Sequence, residues 1–244
     1  YDVRHLGVCD TSRGVSVNLR TLQWFRPLRE EILAELAPHA LSADHDEETV
    51  LWNAGDSSRS FTFIVRGLVQ ISRTNGRGDE AILGIFGPGE SVGTLASLEG
   101  RGYPASAIAT TRITIVQIPS VAMREALARW PEMLTSATRA LGNATNELFC
   151  KLEIVSAGPV AIRLACLFLH LAERFGDETD GGPNPTHIIP IALSRGSLAK
   201  LVGAREETVI RVLSTWRTDG WVSTTADGFE LHAPERLQAM VASG

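Results

Sequence analysis

Residues 203–222 read GAREETVIRVLSTWRTDGWV, and their apolar pattern predicts how the C-terminal part of the chain folds. Apolar residues recur at helical spacing on both sides of Gly203, which predicts two short amphipathic helices. The members of the two stripes are Leu198, Leu201 and Val202 before the glycine and Val209, Val212, Leu213 and Trp216 after it. Because glycine tolerates a positive φ at little cost, Gly203 is the expected tight turn between the helices.

The polar residues of the second helix fall at its start and on its outer face. They are Arg205, Glu206, Glu207, Thr208 and Arg211. A helix N-terminus with such side chains is the element that enters the major groove in helix-turn-helix proteins. Residues 187–193 predict a strand before the two helices, and residues 221–232 predict a hairpin around Asp227-Gly228 after them. A strand, two helices and a hairpin together predict a winged helix.

The net charge of −5 does not exclude a polyanionic partner, because the charge is unevenly distributed. Residues 194–218 carry five basic side chains and two acidic ones. Phosphate affinity depends on such local charge. An ordinary solvated helix face would carry the same charges, so charge alone leaves both interpretations open.

Length and composition limit the class of protein. A chain of 244 residues can form two domains, and a hydrophobic content of 44% with 21% charged residues is typical of soluble proteins. No apolar run approaches the roughly 18 residues that cross a bilayer. Cys9, Cys150 and Cys166 are far apart, which predicts neither a disulfide framework nor a metal site and fits a cytoplasmic protein.

The N-terminal half predicts a β-rich domain. Residues 22–40 have apolar positions at helical spacing, which predicts a helix. From 48 to 118, short apolar or alternating runs are separated by glycine-rich turns, which predicts a compact antiparallel sandwich or barrel.

A long helix is predicted after Pro131, a residue that suits the first turn of a helix. Its apolar stripe follows a heptad and consists of Leu134, Leu141, Leu148, Leu152 and Val155, with Thr138 and Thr145 at two core positions. The stripe fits either a parallel coiled-coil dimer or a helix packed on its own sandwich. We favour the dimer, because a stripe of about 25 residues is longer than the small domain beside it. Gly158-Pro159 ends the helix, and residues 161–175 predict another.

The chain resembles bacterial transcription regulators of the cyclic AMP receptor protein/FNR family. The segments that carry the resemblance are FTFIVRGLVQIS (61–72), GPGESVGTLASL (87–98), RWPEM (129–133), IRLACLFLHLA (162–172) and SRGSLAKLVGAREETVIRVL (194–213). The resemblance implies an α+β chain with a cyclic-nucleotide-binding-like antiparallel β-barrel (jelly roll), a long dimerisation helix and a C-terminal winged helix-turn-helix. The domain boundaries it implies are a tail (1–20), the barrel (21–130), the dimerisation helix (131–157) and the DNA-binding domain (158–244).

The resemblance also implies how DNA is recognised. Glu207 matches the glutamate that accepts a hydrogen bond from cytosine N4, and Arg211 matches the arginine that donates to guanine O6 and N7. Glu206 stands where the cyclic AMP receptor has a base-reading arginine, and Ile210 stands where FNR has a serine. A local Glu207–Arg211 ion pair is expected before DNA binds. The remaining candidate DNA-binding residues, several of them suited to phosphates, are Arg195, Ser197, Arg205 and Thr208.

The nucleotide pocket departs from the family. Cyclic AMP-binding members use a Gly-Glu for the ribose and an Arg-Ser for the phosphate. The matching residues here are Gly93, Thr94, Ala105 and Ser106, and those matching the adenine contacts are Leu148 and Phe149. Without the arginine a buried phosphate would be unpaired, so we expect no dependence on cyclic AMP. Either the pocket is filled by side chains, or it takes a more apolar ligand.

These observations predict a homodimeric regulator that binds double-stranded DNA at a pseudo-palindromic site, with RNA polymerase as a candidate partner and no membrane partner. We expect no cofactor: an FNR-type cluster needs four cysteines, and only three are present. An enzyme is not expected, because residues 48–118 lack the histidines of a cupin-like metal site. The alternative is a sensor or scaffold module whose winged helix does not bind DNA.

Overall fold

The computed structural model describes residues 18–76, 78, 80–178 and 186–243. These residues form two compact units. One unit contains the residues up to 71 together with 85–143, and the other contains 72–84 together with the residues from 144 onwards. Of the predicted tail, residues 1–20, the first 17 lie outside the described residues.

The order of elements is mainly β in the first part of the chain and mainly α in the second. The helices of the described residues are α1 (Glu30–Leu36), α2 (Thr94–Glu99), α3 (Ser120–Arg129), α4 (Glu132–Ser156), α5 (Val160–Phe175), α6 (Arg195–Val202), α7 (Glu206–Thr218) and α8 (Pro234–Ala242). The strands are β1 (Leu41–His45), β2 (Val50–Trp52), β3 (Ser60–Arg66), β4 (Val69–Thr74), β5 (Glu80–Phe86), β6 (Ser91–Val92), β7 (Ser106–Ala109), β8 (Ile113–Pro119), β9 (Asp177–Glu178), β10 (His187–Ile189), β11 (Val222–Thr224) and β12 (Phe229–Leu231). Among the described residues, no helix combines the length and the apolar character that crossing a membrane requires.

The β-rich part is a jelly roll of two four-stranded sheets, with strand orders β1-β8-β3-β6 and β2-β7-β4-β5. Its named pairs, such as β1 with β8 and β3 with β8, are antiparallel. The apolar faces of both sheets contribute to one core, in which Trp52, Ile64, Val69 and Ile115 are buried. The predicted sandwich is therefore confirmed, although its two sheets do not join into a closed barrel.

A second core lies where the N-terminal segment and α3 cover the first sheet. Trp24 and Phe25 are buried there against Phe61 and Phe63, with ring centroids 4.9–5.9 Å apart. The helix predicted over 22–40 is present only over Glu30–Leu36, as α1. Proline at 27 restricts the residue before it, so turns precede α1, and a short 3-10 helix over Ala37–His39 follows it.

Helix α4 has two apolar faces, and the described residues cover only one of them. Met133, Ala137 and Ile154 are buried. A row of large apolar side chains on another face is 50–60% exposed, and its members are Leu134, Leu148, Phe149 and Leu152. Leu141 and Val155 are partly buried. The long helix is confirmed, whereas its role as a dimer interface stays a prediction.

The C-terminal part contains α5 to α8 and a four-stranded sheet with the order β11-β12-β10-β9. Its core is centred on Phe168 of α5, which makes edge-to-face contacts with Trp216 and Phe229 at 6.1 and 4.9 Å. The strand, the two helices and the hairpin predicted from the sequence are all present. Helix α8 and strand β9 were not predicted.

Candidate nucleic-acid interface

The two-helix element is built as its sequence indicates. Ser194 caps the N-terminus of α6 by accepting a hydrogen bond from the Ser197 N–H at 2.9 Å. Gly203 ends α6 with φ 61° and ψ 49°, a left-handed conformation that costs glycine little. The predicted tight turn at Gly203 is confirmed.

Helix α7 separates an apolar face from a polar one. Val209, Leu213 and Trp216 are 0–6% exposed and anchor the helix in the core. The opposite face is exposed to solvent along the first two turns, and its members are Glu206, Glu207, Ile210 and Arg211. Because residues three and four apart share a helix face, these side chains form one surface.

The acidic side chains of this surface lie at the N-terminus of α7, where negative charge is favourable. Glu206 and Glu207 are in the first turn of α7, where the partial positive charge of the N-terminus stabilises carboxylates. The expected ion pair between Glu207 and Arg211 is absent: the salt bridges within 4.0 Å among the described residues do not include this pair. Both side chains therefore keep their polar atoms for an incoming group.

Arg195 ties the start of α6 to the wing. Its Nη2 donates to Thr224 Oγ1 at 2.7 Å, and its guanidinium carbon lies 5.7 Å from the ring centroid of Phe229. Its Nη1 is buried without a partner among the described residues. Burial, and secondarily the nearby positive charge of Arg217, lowers the pKa of Arg195. The sequence suggested a phosphate contact at Arg195, and the structure adds that it positions the wing.

The remaining candidate DNA-binding residues differ in exposure. Arg205 is the exposed N-cap of α7, whereas Thr208 and Ser197 are partly buried. Lys200, one of the five local cations, donates to Glu80 at 2.6 Å. This hydrogen bond lowers the pKa of Glu80. The positive charge available to phosphates is thus smaller than the sequence count suggests.

Two cations from other helices hold the C-terminal end of α6. Lys151 of α4 donates to the carbonyl oxygens of Lys200 and Leu201. Arg163 of α5 donates to the carbonyl oxygens of Val202 and Gly203 at 3.0 and 3.1 Å. These carbonyls lack partners inside the helix, and cations are favourable at that end. The position of the turn therefore depends on α4 and α5.

Sequence reasoning missed this contact, although one signal was available. Lys151 is one of only two lysines in a chain rich in arginine. Burial lowers the pKa of Lys151 to about 8 from 10.5. The carbonyl oxygens around it accept hydrogen bonds from the charged and the neutral amine alike.

We expect the free energy of unfolding to report this burial. The unfolded chain keeps the Lys151 proton up to about pH 10.5, whereas the folded protein releases it near pH 8. Deprotonation therefore favours the folded state in that window. In urea titrations, the stability of the wild type relative to Lys151→Met should be constant below pH 8 and rise above it. A relative stability that falls above pH 8 would contradict the assignment.

The residues matching the family's nucleotide pocket are occupied by contacts within the chain. Thr94 and Ala105 are 7% and 6% exposed. The Oγ1 of Thr94 lies 2.8 Å from the Ser91 hydroxyl, and Ser106 Oγ accepts a hydrogen bond from the Ala54 N–H at 2.9 Å. Ser106 is the only polar residue at the two positions where cyclic AMP-binding relatives have Arg-Ser, and its hydroxyl already accepts a hydrogen bond from the backbone.

An aromatic pair lies beside these residues. The rings of Trp52 and Tyr103 stack with centroids 4.2 Å apart, and Trp52 Nε1 donates to the Ala105 carbonyl at 3.0 Å. A Cβ atom at Gly93 would approach a Tyr103 ring carbon to 2.5 Å, so the ring sits directly against that backbone. Burial raises the pKa of Tyr103. The pair leaves no local pattern in the sequence, because its members are 51 positions apart.

Leu148 and Phe149, which match the adenine contacts, are 50% and 57% exposed on α4. In the part of the chain described, no group of three or more His, Cys, Asp or Glu side chains could hold a metal ion.

Two family profiles match the chain. The cyclic nucleotide-binding domain matches residues 45–129, and the Crp-like helix-turn-helix domain matches residues 162–240. The first covers most of the jelly roll, and the second covers α6, α7 and the wing.

Relatives of similar length support the same assignment. The chain is 27% identical over 213 residues to the CRP-like cAMP-activated global transcriptional regulator of Mycobacterium tuberculosis H37Rv, covering 87% of this chain and 93% of the relative. It is 23% identical to the global nitrogen regulator of Synechocystis sp. PCC 6803, with 84% and 89% covered. These relatives are transcription regulators and not enzymes.

Solved structures share the fold. FixK2 from Bradyrhizobium japonicum superposes with a TM-score of 0.71 at 15% identity, covering 82% of this chain and 96% of that one. A CRP-family transcriptional regulator from Thermus thermophilus gives 0.68 at 21% identity, with 83% and 97% covered. With both domains matched in order, the chain belongs to the cyclic AMP receptor protein/FNR family of transcription regulators.

Proposed function

We propose that the protein is a homodimeric, sequence-specific DNA-binding regulator that places α7 of each protomer in the major groove at one half of a pseudo-palindromic site. One observation carries this proposal. Helix α7 presents Glu207 and Arg211 to solvent, while Val209, Leu213 and Trp216 on its other face are buried. A polar surface on a firmly anchored helix is what groove insertion requires.

The two side chains have complementary roles on a G·C base pair. The Glu207 carboxylate only accepts hydrogen bonds and suits the amino group of cytosine, whereas Arg211 only donates and suits guanine O6 and N7. Backbone phosphates are proposed partners for Arg205, Thr208 and Ser197, since such contacts fix the register of the helix on DNA. Glu206 cannot donate to guanine, so the bases next to this pair should differ from those of the cyclic AMP receptor.

The proposed dimer interface is the exposed row of α4. Leu134, Leu148 and Leu152 lie at heptad spacing and are 50–60% exposed in the single chain. Large aliphatic residues at a and d positions are characteristic of helix pairing. Large apolar side chains exposed on one helix mark an interaction site, and a second α4 would cover them.

We propose that DNA binding needs no cyclic AMP. A buried phosphate requires paired charge, and Ala105 supplies none. Ser106 is bonded to the backbone of Ala54, and the stacked rings of Trp52 and Tyr103 lie against Gly93, where the ribose contact begins in cyclic AMP-binding relatives. These contacts favour a pocket filled by the chain's own side chains.

The proposal is tested by gel-shift titrations with a selected duplex and a scrambled one, over a series of salt concentrations. We expect the selected duplex to bind about 10³-fold or more tightly than the scrambled one, and both affinities to fall with salt as phosphates are neutralised. Absence of sequence preference even at low salt would instead support a sensor or scaffold module.

Adding cyclic AMP at millimolar concentration is expected to leave the affinity for the selected duplex unchanged. The Mycobacterium tuberculosis relative, which is cAMP-activated by name, is the matched control and should respond in the same assay. A reproducible tenfold tightening for this chain, about 1.4 kcal/mol of coupling, would contradict the filled pocket.

A further inference from the structure

One residue of the α7 surface has no polar chemistry. Ile210 is 48% exposed, whereas Val209 and Leu213 on the same helix are 0% and 6% exposed. It follows Glu207 by three positions and directly precedes Arg211, so it lies on the face assigned to the groove. Ile210 therefore places an apolar side chain between two charged ones on this face.

The major groove offers such a side chain only one kind of partner. Every base edge there presents hydrogen-bond donors or acceptors, and the apolar group among them is the C5-methyl of thymine. Isoleucine can neither donate nor accept a hydrogen bond. Its β-branched side chain has one strongly preferred χ1 rotamer in a helix, so it presents a fixed apolar surface.

We propose that Ile210 reads the C5-methyl group of a pyrimidine at a position beside the base pair contacted by Glu207 and Arg211. This inference rests on the proposed function and adds a specificity determinant to it. The methyl group can come from thymine or from 5-methylcytosine, since both carry it at the same place. The sequence preference next to the G·C pair would then be set by apolar contact and not by a hydrogen bond.

The magnitude follows from the area buried. Covering one methyl group corresponds to a change of about fourfold in affinity per half-site, and of about 15-fold when both half-sites of a dimer are changed. Because Ile210 is 48% exposed, Ile210→Ala is expected to fold as the wild type does.

The test uses the full chain and its selected duplex. Each thymine of the half-site is replaced in turn by deoxyuridine, which removes only the methyl group, and each cytosine by 5-methylcytosine, which adds one. The dissociation constant is measured for the wild type, for Ile210→Ala and for Ser214→Ala, a control one turn further along the exposed face.

At one base position, we expect the methyl change to alter the affinity of the wild type by about fourfold per half-site. The same change should leave the affinity of Ile210→Ala unaltered. Ser214→Ala should respond as the wild type does. A loss with deoxyuridine identifies thymine as the source, and a gain with 5-methylcytosine identifies the modified base. Specific binding that ignores every methyl change, or a methyl effect that persists in Ile210→Ala, overturns the inference alone. Absence of any sequence-specific binding by the wild type overturns the proposed function together with it.

Discussion

Replacing Leu148 and Leu152 together by glutamate should convert the protein to a monomer and weaken binding to its full DNA site by about 10²- to 10⁴-fold. Both leucines belong to the exposed row of α4, at 50% and 60% exposure. Burying two carboxylates in each partner of a paired helix would leave charges without partners. The loss of affinity is large because each α7 then binds its half-site alone, without a second α7 linked to it in a dimer.

Sedimentation velocity and gel shifts on the same samples measure this effect. Asn143→Glu adds a negative charge to an exposed position of α4 that is not three or four residues from any member of the row, and it should keep both the mass of a dimer and the affinity. A Leu148→Glu, Leu152→Glu protein that still sediments as a dimer at micromolar concentration would show that α4 does not form the interface.

Arg211→Ala is expected to cost roughly 2–6 kcal/mol of specific binding for a dimer, since each half-site loses a guanine contact of about 1–3 kcal/mol. Arg211 is exposed on α7 and makes no ion pair with Glu207 within 4.0 Å among the described residues. Its loss therefore removes a DNA contact without leaving a buried partner unpaired. Fluorescence anisotropy with selected and scrambled duplexes measures the change.

Arg217→Ala provides the matched control. Arg217 lies in the last turn of α7, so its removal should weaken selected and scrambled duplexes by similar factors, as loss of a phosphate-attracting charge does. Arg211→Ala should lower the ratio between the two affinities. A ratio unchanged by Arg211→Ala would place base recognition elsewhere.

Local sequence patterns were sufficient to predict the helix-turn-helix, the long helix α4 and the β-rich domain. Gly203 between two apolar stripes predicted the turn, and the structure has it in the left-handed conformation. The heptad row predicted α4, and the alternating runs predicted an antiparallel sandwich or barrel. In each case a periodicity of a few residues specifies which face is buried.

The features that escaped prediction depend on contacts between distant residues. Trp52 and Tyr103 stack only once β2 and the segment before β7 are brought together, and Lys151 meets the end of α6 only through packing of α4. The helix predicted over 22–40 is limited to α1, because the ring of the proline at 27 disfavours a helical conformation for the residue before it. Helix α8 escaped prediction because it is short and buries only Leu237, which gives little apolar periodicity.

Base recognition by Glu207 and Arg211 can be tested by selecting binding sites from a pool of random duplexes, with purified protein and no added effector. We expect an inverted repeat with a G·C pair at the same place in each half, and we expect the preference for this pair to weaken with Glu207→Ala or Arg211→Ala protein. Enrichment of no sequence, or of one that both variants select as strongly as the wild type does, would contradict this base recognition.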